Sequence, residues 1–261
     1  MAMTEPVEWA GDDSPRSLRF NDRYRSRAGG VAQALWVFLA GCGLPERWRD
    51  ASAFTVLETG FGLGINFLTT WAAWEAHERR CERLHYVAVE AYPVAAADIM
   101  RSALAPDGAT VIPAASSALP ARVQALAPQL AGAWQDLSPG IRHLRFAEGR
   151  VQLTLAVGEV QPMLERLTCA ADAVYLDGFS PALNPDMWSH ATLQAVVRHC
   201  RAGTTLATYT VARSVRETLE QIGFQVQKHP GLPPKRQRLQ AVYSPAGMGQ
   251  WPPHGPTSLM P

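Results

Sequence analysis

Short apolar runs alternate with amphipathic stretches along the chain from residue 54 onward. Each run has the length and the β-branched or aromatic content that are typical of a buried strand. The clearest runs are residues 54–57, 86–89, 173–176 and 204–209. The stretches between them carry apolar residues at helical spacing, such as Phe67, Trp71 and Trp74. Strands that alternate with helices favour a parallel sheet with helices on both faces, so we predict an α/β fold.

Weaker signals complete the predicted sheet. Alternating apolar residues at 142–157 surround a Glu-Gly-Arg turn and indicate a hairpin, and residues 224–228 and 239–244 are expected to pair as another. Helices are predicted at residues 93–104, 113–134, 193–200 and 213–222, with Gly203 and Gly223 as caps. This order of elements predicts a mostly parallel, seven-stranded sheet with one reversed strand.

Composition divides the chain into three parts. Residues 1–45 are polar and rich in arginine up to residue 30 and helix-like at 34–40, and we expect this N-terminal extension to pack on the core. Residues 46–244 hold the alternating strands and helices of the main domain. Residues 245–261 are rich in proline and glycine, which is typical of a disordered tail.

Charge and cysteine content narrow the class of protein. The 261 residues carry a net charge of only +1, so no global basic field indicates nucleic acid, although a local patch could still bind it. The four cysteines have neither disulfide nor zinc spacing, and no metal site is predicted. We see no signal peptide and no apolar run long enough to cross a membrane, and therefore expect a cytoplasmic protein.

The turn after the first predicted strand carries the clearest chemical signal. It reads Glu58-Thr-Gly-Phe-Gly-Leu-Gly-Ile-Asn66, with an acidic strand end followed by three glycines. Glycines allow a close approach of the backbone to a ligand, and the helix that follows begins with free N–H groups. The glycine spacing is G-x-G-x-G, which differs from the G-x-G-x-x-G of dinucleotide sites.

Glu90 closes the next predicted strand and adds a second acidic strand end. Two acidic strand ends around G-x-G-x-G resemble the S-adenosylmethionine site of class I methyltransferases, where the second carboxylate binds the ribose hydroxyls. The predicted cofactor contacts on these two strand ends are Glu58, Gly60, Phe61, Gly62, Gly64, Asn66 and Glu90. The alternatives are a nicotinamide site, which the glycine spacing disfavours, and a turn that serves only helix–strand packing.

Two further carboxylates follow predicted strands. Asp177 begins the segment Asp177-Gly-Phe-Ser-Pro181, and ligands of open α/β sheets bind at the carboxyl ends of the strands. A carboxylate there could hold an amine nucleophile and accept its proton, whereas the structural alternative is an aspartate that caps a turn. Glu159 is a candidate acceptor for an adenine amino group, with a solvated loop glutamate as the alternative.

Two segments are rich in basic residues. The first holds five arginines interleaved with Phe20 and Tyr24, and the second lies in the final predicted hairpin. Their members are Arg16, Arg19, Arg23, Arg25 and Arg27, and Lys228, His229, Lys235, Arg236 and Arg238. Basic residues near aromatic rings can bind phosphates and stack on bases, although a solvated surface is the commoner explanation for such a run.

These motifs together resemble the methyltransferase domain of the bifunctional bacterial proteins that complete 5-methylaminomethyl-2-thiouridine at the tRNA wobble position, and its stand-alone relatives. The resemblance covers roughly residues 7–243, and the segment from Asp177 to Trp188 is its most specific part. The other matching segments are residues 20–24, 58–67, 89–93, 205–210, 223–224 and 235–236.

The resemblance implies a class I methyltransferase fold, S-adenosylmethionine as cofactor and an aminomethyl group of a tRNA uridine as acceptor. It implies that Asp177 is catalytic, orienting the amine and taking its proton, and that it also lies beside the cofactor. The substrate contacts that it suggests are Tyr24, Phe179, Pro181, Lys235 and Arg236. In two-domain relatives a flavin-dependent oxidase domain removes a carboxymethyl group first, so a separate oxidase is a candidate partner.

The chain departs from the family pattern at positions on the substrate side. It has Gln33-Ala34-Leu35, Leu183 and Gln237 where the pattern carries other polar or charged residues. Three interpretations follow: the tRNA enzyme, a methyltransferase of the same fold with a small-molecule or protein acceptor, or a catalytically degenerate cofactor-binding interaction protein.

Overall fold

The computed structural model describes residues 4–11, 13–105, 112–135 and 137–245. Apart from Pro245, the tail predicted at 245–261 lies outside these residues. The first elements along the described residues are three short strands, β1 (Val7–Trp9), β2 (Pro15–Ser17) and β3 (Asp22–Arg23). They pair antiparallel and form a separate sheet, called here the N-terminal sheet.

A continuous helical segment follows the N-terminal sheet. It begins as α1 (Gly30–Gln33), continues as a π-helix (Ala34–Leu39) and ends in a 3-10 turn (Ala40–Cys42). The helix predicted at 34–40 is therefore present, although most of it is wound more loosely than an α-helix.

Eight strands form the central sheet. They are β4 (Ala53–Glu58), β5 (Arg83–Glu90), β6 (Gly140–Phe146), β7 (Val151–Val157), β8 (Ala171–Tyr175), β9 (Cys200–Thr208), β10 (Phe224–Pro230) and β11 (Gln237–Tyr243). Their order across the sheet is β10-β11-β9-β8-β4-β5-β7-β6. The five strands from β9 to β7 in this order are parallel to one another.

Helices connect the strands and cover both faces of the sheet. The α-helices are α2 (Ile65–Ala76), α3 (Ala96–Leu104), α4 (Leu119–Ala133), α5 (Val160–Arg166), α6 (His190–Val197) and α7 (Arg213–Gln221). Short 3-10 turns lie at Glu46–Trp48, Ala114–Ser116, Ala147–Gly149 and Pro185–Trp188. The predicted alternation of strands and helices is confirmed, with boundaries that differ by a few residues.

Three details of the prediction are wrong. The central sheet has eight strands rather than seven, because both halves of the hairpin predicted at 142–157 join it. Both β6 and β11 run against the parallel set, rather than one strand alone. Gly203 caps no helix and lies inside β9 with a φ of +87°. Alternating apolar residues indicate that a segment is a strand, but the position and direction of that strand depend on its neighbours.

The sheet separates two hydrophobic cores, because alternate side chains of a strand point to opposite faces. On β4, Val56 packs in one core and Leu57 in the other. Phe67, Trp71 and Trp74 of α2 are fully or almost fully buried in the first core. Burying one such side chain is worth about 1.5–3 kcal/mol, so these contacts hold α2, and the turn that precedes it, against the sheet.

The N-terminal sheet and its flanking residues lie against the carboxyl ends of the parallel strands. The backbone N–H of Glu5 donates to the carbonyl of Pro93, after β5, at 2.9 Å. The backbone N–H of Ser180, after β8, donates to Oδ2 of Asp22 at 2.9 Å. Ligands of open α/β sheets bind at this edge, so the N-terminal sheet is placed to contact them.

Candidate functional site

A cavity of about 290 Å³ lies at the carboxyl ends of β4, β5 and β8. Its wall includes residues 59–63 of the glycine turn (residues 59–64), the end of β5, residues 177–179 of the Asp177 turn (residues 177–181) and residues near β3 and α1. The predicted site residues in this wall are Tyr24, Gly60, Phe61, Gly62, Asn66, Glu90, Glu159, Asp177 and Phe179. The fold thus brings together residues that are far apart in the sequence.

Backbone conformation and close packing both require glycine in the glycine turn. Gly62 and Gly64 have φ values of +52° and +72°, which residues with a Cβ atom rarely adopt. A Cβ atom on Gly60 would lie 3.1 Å from the carbonyl oxygen of Asp177, so the glycine turn and the Asp177 turn pack backbone against backbone. Gly64 immediately precedes α2 and is outside the cavity wall.

Glu90 is held at the end of β5 by two backbone groups. The N–H of Gly62 donates to Oε2 of Glu90 at 2.7 Å, and the N–H of Tyr92 donates to Oε1 at 2.8 Å. Burial raises the pKa of Glu90, and these two hydrogen bonds oppose the rise. Because each carboxylate oxygen has two lone pairs, both oxygens can still accept a hydrogen bond from a ligand hydroxyl.

Asp177 is fixed by donors on both carboxylate oxygens. The N–H of Gly178 donates to Oδ1 at 2.9 Å, and Nδ2 of Asn66 donates to Oδ2 at 2.9 Å. Burial raises the pKa of Asp177 to about 6, although both hydrogen bonds and the charge of Lys235 oppose the rise. A carboxylate with a pKa near neutrality is suited to exchange a proton with a ligand.

Glu58 is placed differently from the prediction. Its side chain is fully buried and outside the cavity wall. One oxygen accepts a hydrogen bond from Asn66 at 2.7 Å, and the other accepts one from the hydroxyl of Tyr86 at 2.9 Å. Burial and the neighbouring charge of Asp177 raise the pKa of Glu58 well above its usual range. Glu58 therefore lies outside the wall and supports it through the hydrogen bond with Asn66, a residue of the wall.

The predicted substrate residues Pro181, Lys235 and Arg236 also lie outside the cavity wall. Nζ of Lys235 is 3.6 Å from the centre of the Tyr209 ring. Burial lowers the pKa of Lys235, while the negative charge of Asp177 opposes this shift. Lys235 is thus an electrostatic neighbour of the cavity rather than part of its surface.

An aromatic cluster joins the N-terminal sheet to the Asp177 turn. The rings of Phe20 and Phe179 stack with centres 4.8 Å apart, and Tyr24 meets Phe179 edge-on at 5.0 Å. Phe20 also contacts Tyr92, with ring centres 6.0 Å apart. Tyr92 is a residue of the cavity wall that was not predicted from the sequence, although it belongs to the matching segment at 89–93.

Glu159 lies on the exposed rim of the cavity. The hydroxyl of Tyr92 donates to Oε1 of Glu159 at 3.0 Å. The guanidinium of Arg19 lies 4.0 Å above the Tyr92 ring and forms an ion pair with Glu5 at 2.9 Å. These contacts connect the rim to the start of the chain, and Oε2 of Glu159 remains a further acceptor for a ligand.

Only part of the predicted basic surface reaches the cavity. Arg23 and Arg25 are in the wall, whereas Arg19 is occupied by its ion pair with Glu5. Among the described residues, no group of three or more potential metal ligands comes together. Within the same part of the chain, no helix combines the length and apolar character needed to cross a membrane.

Several known proteins are similar to this chain in sequence or fold. Residues 121–244 match the model of a family described as S-adenosyl-L-methionine-dependent methyltransferase. The chain is 50% identical over 256 residues to the tRNA 5-methylaminomethyl-2-thiouridine biosynthesis bifunctional protein MnmC of Delftia acidovorans, covering 98% of this chain and 37% of that protein. It is 50% identical over 259 residues to the protein of the same name from an Acidovorax species, covering 99% and 38%.

The chain spans a little over a third of the length of these curated relatives. Among solved structures, MNMC2 from Aquifex aeolicus is similar with a TM-score of 0.70, covering 97% of this chain and 73% of that chain. The two sequences are 20% identical, so this likeness concerns the fold. The chain thus has the fold of class I methyltransferases, and its residues 121–244 match the S-adenosylmethionine-dependent methyltransferase family.

Proposed function

We propose that this protein transfers a methyl group to the amine of an aminomethyl uridine at the wobble position of tRNA. The observation that carries the proposal is the partly buried Asp177 carboxylate, with a pKa of about 6, in the wall of a cavity that the glycine turn also lines. The names of the curated relatives support tRNA as the acceptor molecule.

The residues of the cavity fit S-adenosylmethionine. Gly60 and Gly62 allow the backbone to approach the ligand, and Glu90 offers a fixed carboxylate for the ribose hydroxyls. Glu159 on the rim offers an acceptor for the adenine amino group. When bound, the cofactor supplies a methyl group on a sulfonium, which is already a good leaving group. The protein's main task is therefore to position the acceptor and to remove its proton.

Asp177 performs that task in this proposal. An alkylamine is mostly protonated at neutral pH and has no free electron pair for attack. Above pH 6 the Asp177 carboxylate is mostly ionised, so it can orient the ammonium group and accept its proton. The rings of Phe20, Tyr24 and Phe179 give the same wall an apolar surface, and apolar surroundings favour the neutral amine.

Basic residues around the cavity would bind the tRNA backbone. Arg23 is in the wall, Lys235 is close enough to Asp177 for their charges to interact, and Arg236 adjoins Lys235. We further propose that a flavin-dependent oxidase acts on the same uridine beforehand, as the bifunctional character of the relatives suggests. A tRNA substrate also implies that the protein works in the cytoplasm.

A methyltransferase with a different amine acceptor is the second candidate. Leu183 is 46% exposed, and the family pattern carries a lysine at this position. Gln33, another departure, lies in the cavity wall and accepts a hydrogen bond from the N–H of Ser26 at 2.6 Å. Leu183 and Gln33 thus differ from the family pattern on the surface that an acceptor would contact. The carboxylates of Glu90 and Asp177, in contrast, lie in segments that match the pattern.

The test uses tRNA from a strain that lacks this gene. The purified protein is incubated with this tRNA and methyl-labelled S-adenosylmethionine. The tRNA is then digested to nucleosides, which are separated and identified by mass spectrometry. We expect one additional methyl group on the aminomethyl uridine, and its rate of formation should be lower by about a hundredfold or more with the Asp177→Asn variant. Label on no tRNA nucleoside, despite cofactor binding, would favour a different acceptor.

A further inference from the structure

Asn66 lies between two carboxyl groups. Its side-chain nitrogen Nδ2 donates to Oε1 of Glu58 at 2.7 Å and to Oδ2 of Asp177 at 2.9 Å. A primary amide has two hydrogens on this nitrogen, so both are used within the protein. The Asn66 amide nitrogen therefore has no hydrogen left for the cofactor, although the sequence analysis predicts a cofactor contact for this residue.

Glu58 determines which way the Asn66 amide points. Glu58 is fully buried, and its second oxygen accepts a hydrogen bond from the hydroxyl of Tyr86 at 2.9 Å. Rotating the amide by half a turn would place its oxygen against both carboxyl groups and would break both hydrogen bonds. The buried Glu58 side chain thus orients the side-chain amide of Asn66, and this amide in turn fixes the carboxylate of Asp177.

We propose that Asn66, oriented by Glu58, is a positioning residue for the proton transfer at Asp177. The inference rests on the proposed function, in which Asp177 accepts the proton of the acceptor amine. With Gly178 on Oδ1 and Asn66 on Oδ2, the rotation of the Asp177 carboxylate is fixed. Each oxygen keeps one lone pair for the amine, and donation by Asn66 favours the ionised form that accepts the proton.

The charge of Asp177 interacts with four other ionisable groups and shifts their pKa values. They are Glu58 on β4, Tyr86 on β5, Tyr209 after β9 and Lys235 between β10 and β11. The positive charge of Lys235 favours the Asp177 carboxylate, whereas burial favours the protonated form of Glu58. Glu58 therefore serves to orient Asn66, and Asp177 is the carboxyl group that exchanges a proton in the proposed function.

The test measures the pKa of Asp177 in the free protein. The carboxyl carbons of aspartate are labelled with 13C and titrated by NMR, and Asp177→Asn identifies the signal. Asn66→Leu removes the donor at similar size, whereas Glu58→Gln keeps an oxygen toward Asn66 and a polar group toward Tyr86. We expect a rise of about one pH unit in Asn66→Leu, as loss of a hydrogen bond to a charged group implies, and a nearly unchanged value in Glu58→Gln.

Thr69→Val is the matched control, because Thr69 is a buried residue of the same helix whose hydroxyl has no hydrogen-bond partner among the described residues. It should leave the pKa of Asp177 unchanged. In methyl-transfer assays at saturating cofactor and pH 7, Asn66→Leu should lower kcat about tenfold or more, and the Kd for S-adenosylmethionine should change less than threefold. Asn66→Ala replaces the leucine variant if that variant does not fold.

Two results would overturn the inference. An unchanged pKa of Asp177 in Asn66→Leu would mean that the amide does not set its ionisation. A weakened cofactor affinity, with kcat restored at saturating cofactor, would make Asn66 a cofactor ligand instead. If the wild-type protein methylates no tRNA, the proposed function fails, but the titration of the free protein still decides whether Asn66 controls Asp177.

Discussion

Asp177 combines a fixed orientation with a pKa of about 6, and these two properties allow a specific kinetic test. We expect Asp177→Asn to lower turnover about a hundredfold or more, because the amide cannot take a proton from the acceptor. Cofactor affinity, measured by calorimetry, should change little. The matched control is Asp186→Asn, a second aspartate in the cavity wall, which should keep most of the activity. Equal turnover in Asp177→Asn would leave Asp177 as a turn-capping residue.

The raised pKa of Asp177 also predicts how stability depends on pH. Burial raises this pKa from 3.8 to about 6, so the folded protein holds the proton over a range where the unfolded chain has lost it. The stabilising contribution is therefore complete below about pH 4 and is lost as the pH rises through about 6. Urea unfolding of wild type and Asp177→Asn should show the variant gaining relative stability between these pH values, by on the order of 2–3 kcal/mol. A constant difference across this range would contradict the shift.

Glu90 is the residue that we expect to bind the ribose hydroxyls. Removing its carboxylate in Glu90→Ala should cost about 1.5–3 kcal/mol of binding energy, or about 10–150-fold in the Kd for S-adenosylmethionine. Glu90→Gln keeps one oxygen acceptor and should lose less. Calorimetry on the free protein gives both values, and NADH serves as the competing ligand. Tighter binding of NADH than of S-adenosylmethionine would contradict the predicted cofactor contact.

At the scale of elements, the N-terminal sheet completes one side of the cavity. It is joined to the Asp177 turn by the hydrogen bond from Ser180 to Asp22 and by the stacked rings of Phe20 and Phe179. Asp22→Ala removes the hydrogen bond and should increase amide hydrogen exchange at 15–24 and at 177–181. The KM for tRNA should rise, while the fold of the central sheet is retained.

Asp13→Asn is the control for this experiment, because Asp13 has a φ of +53°, which asparagine tolerates better than alanine does. Asp13 forms an exposed ion pair with Arg101 at 2.8 Å, which also joins the start of the chain to the core. Exposed ion pairs contribute about 0–1 kcal/mol, so this variant should behave like the wild type. If Asp22→Ala leaves hydrogen exchange and KM unchanged, the N-terminal sheet is not held to the Asp177 turn by this contact.

At the scale of the whole molecule, a net charge of +1 gives little general attraction for tRNA. In the proposed function, binding of tRNA relies on local basic residues near the cavity, and each neutralised phosphate makes the affinity depend on salt. We expect affinity for tRNA to fall steeply with added salt and the double variant Lys235→Glu with Arg236→Glu to raise the KM for tRNA. The affinity for S-adenosylmethionine should not change.

The control is a double variant with the same change of net charge at the other end of the strands, far from the cavity. Arg145 and Arg150 are exposed and lie where β6 ends and β7 begins, away from the carboxyl ends of the parallel strands. Reversing both to glutamate should leave the KM for tRNA within about twofold of the wild type. Equal effects of the two double variants would indicate a general charge effect rather than a docking surface.

Much of the fold follows from the sequence, since apolar periodicity depends on residues that are close in the chain. The runs that became β4, β5, β8 and β9 and the aromatic face of α2 are examples. The edge position of β6 follows from the pairing of β7 with the more distant β5, and Gly203 lies in a part of β9 where the register with β8 shifts. The pairing of strands does not show in the periodicity of nearby residues. For this reason the number of strands in the central sheet and the role of Gly203 were predicted incorrectly.

For the candidate site, the order of residues indicates which chemical groups are available: glycines in a turn, and acids at the ends of strands. The contacts that each group makes are set by the fold. It buried Glu58 behind the wall, placed Asn66 between two carboxyl groups and set the Tyr92 hydroxyl against Glu159. The physical reason is that burial and hydrogen bonding depend on atoms brought together from distant segments, whereas a motif records only the order of residues.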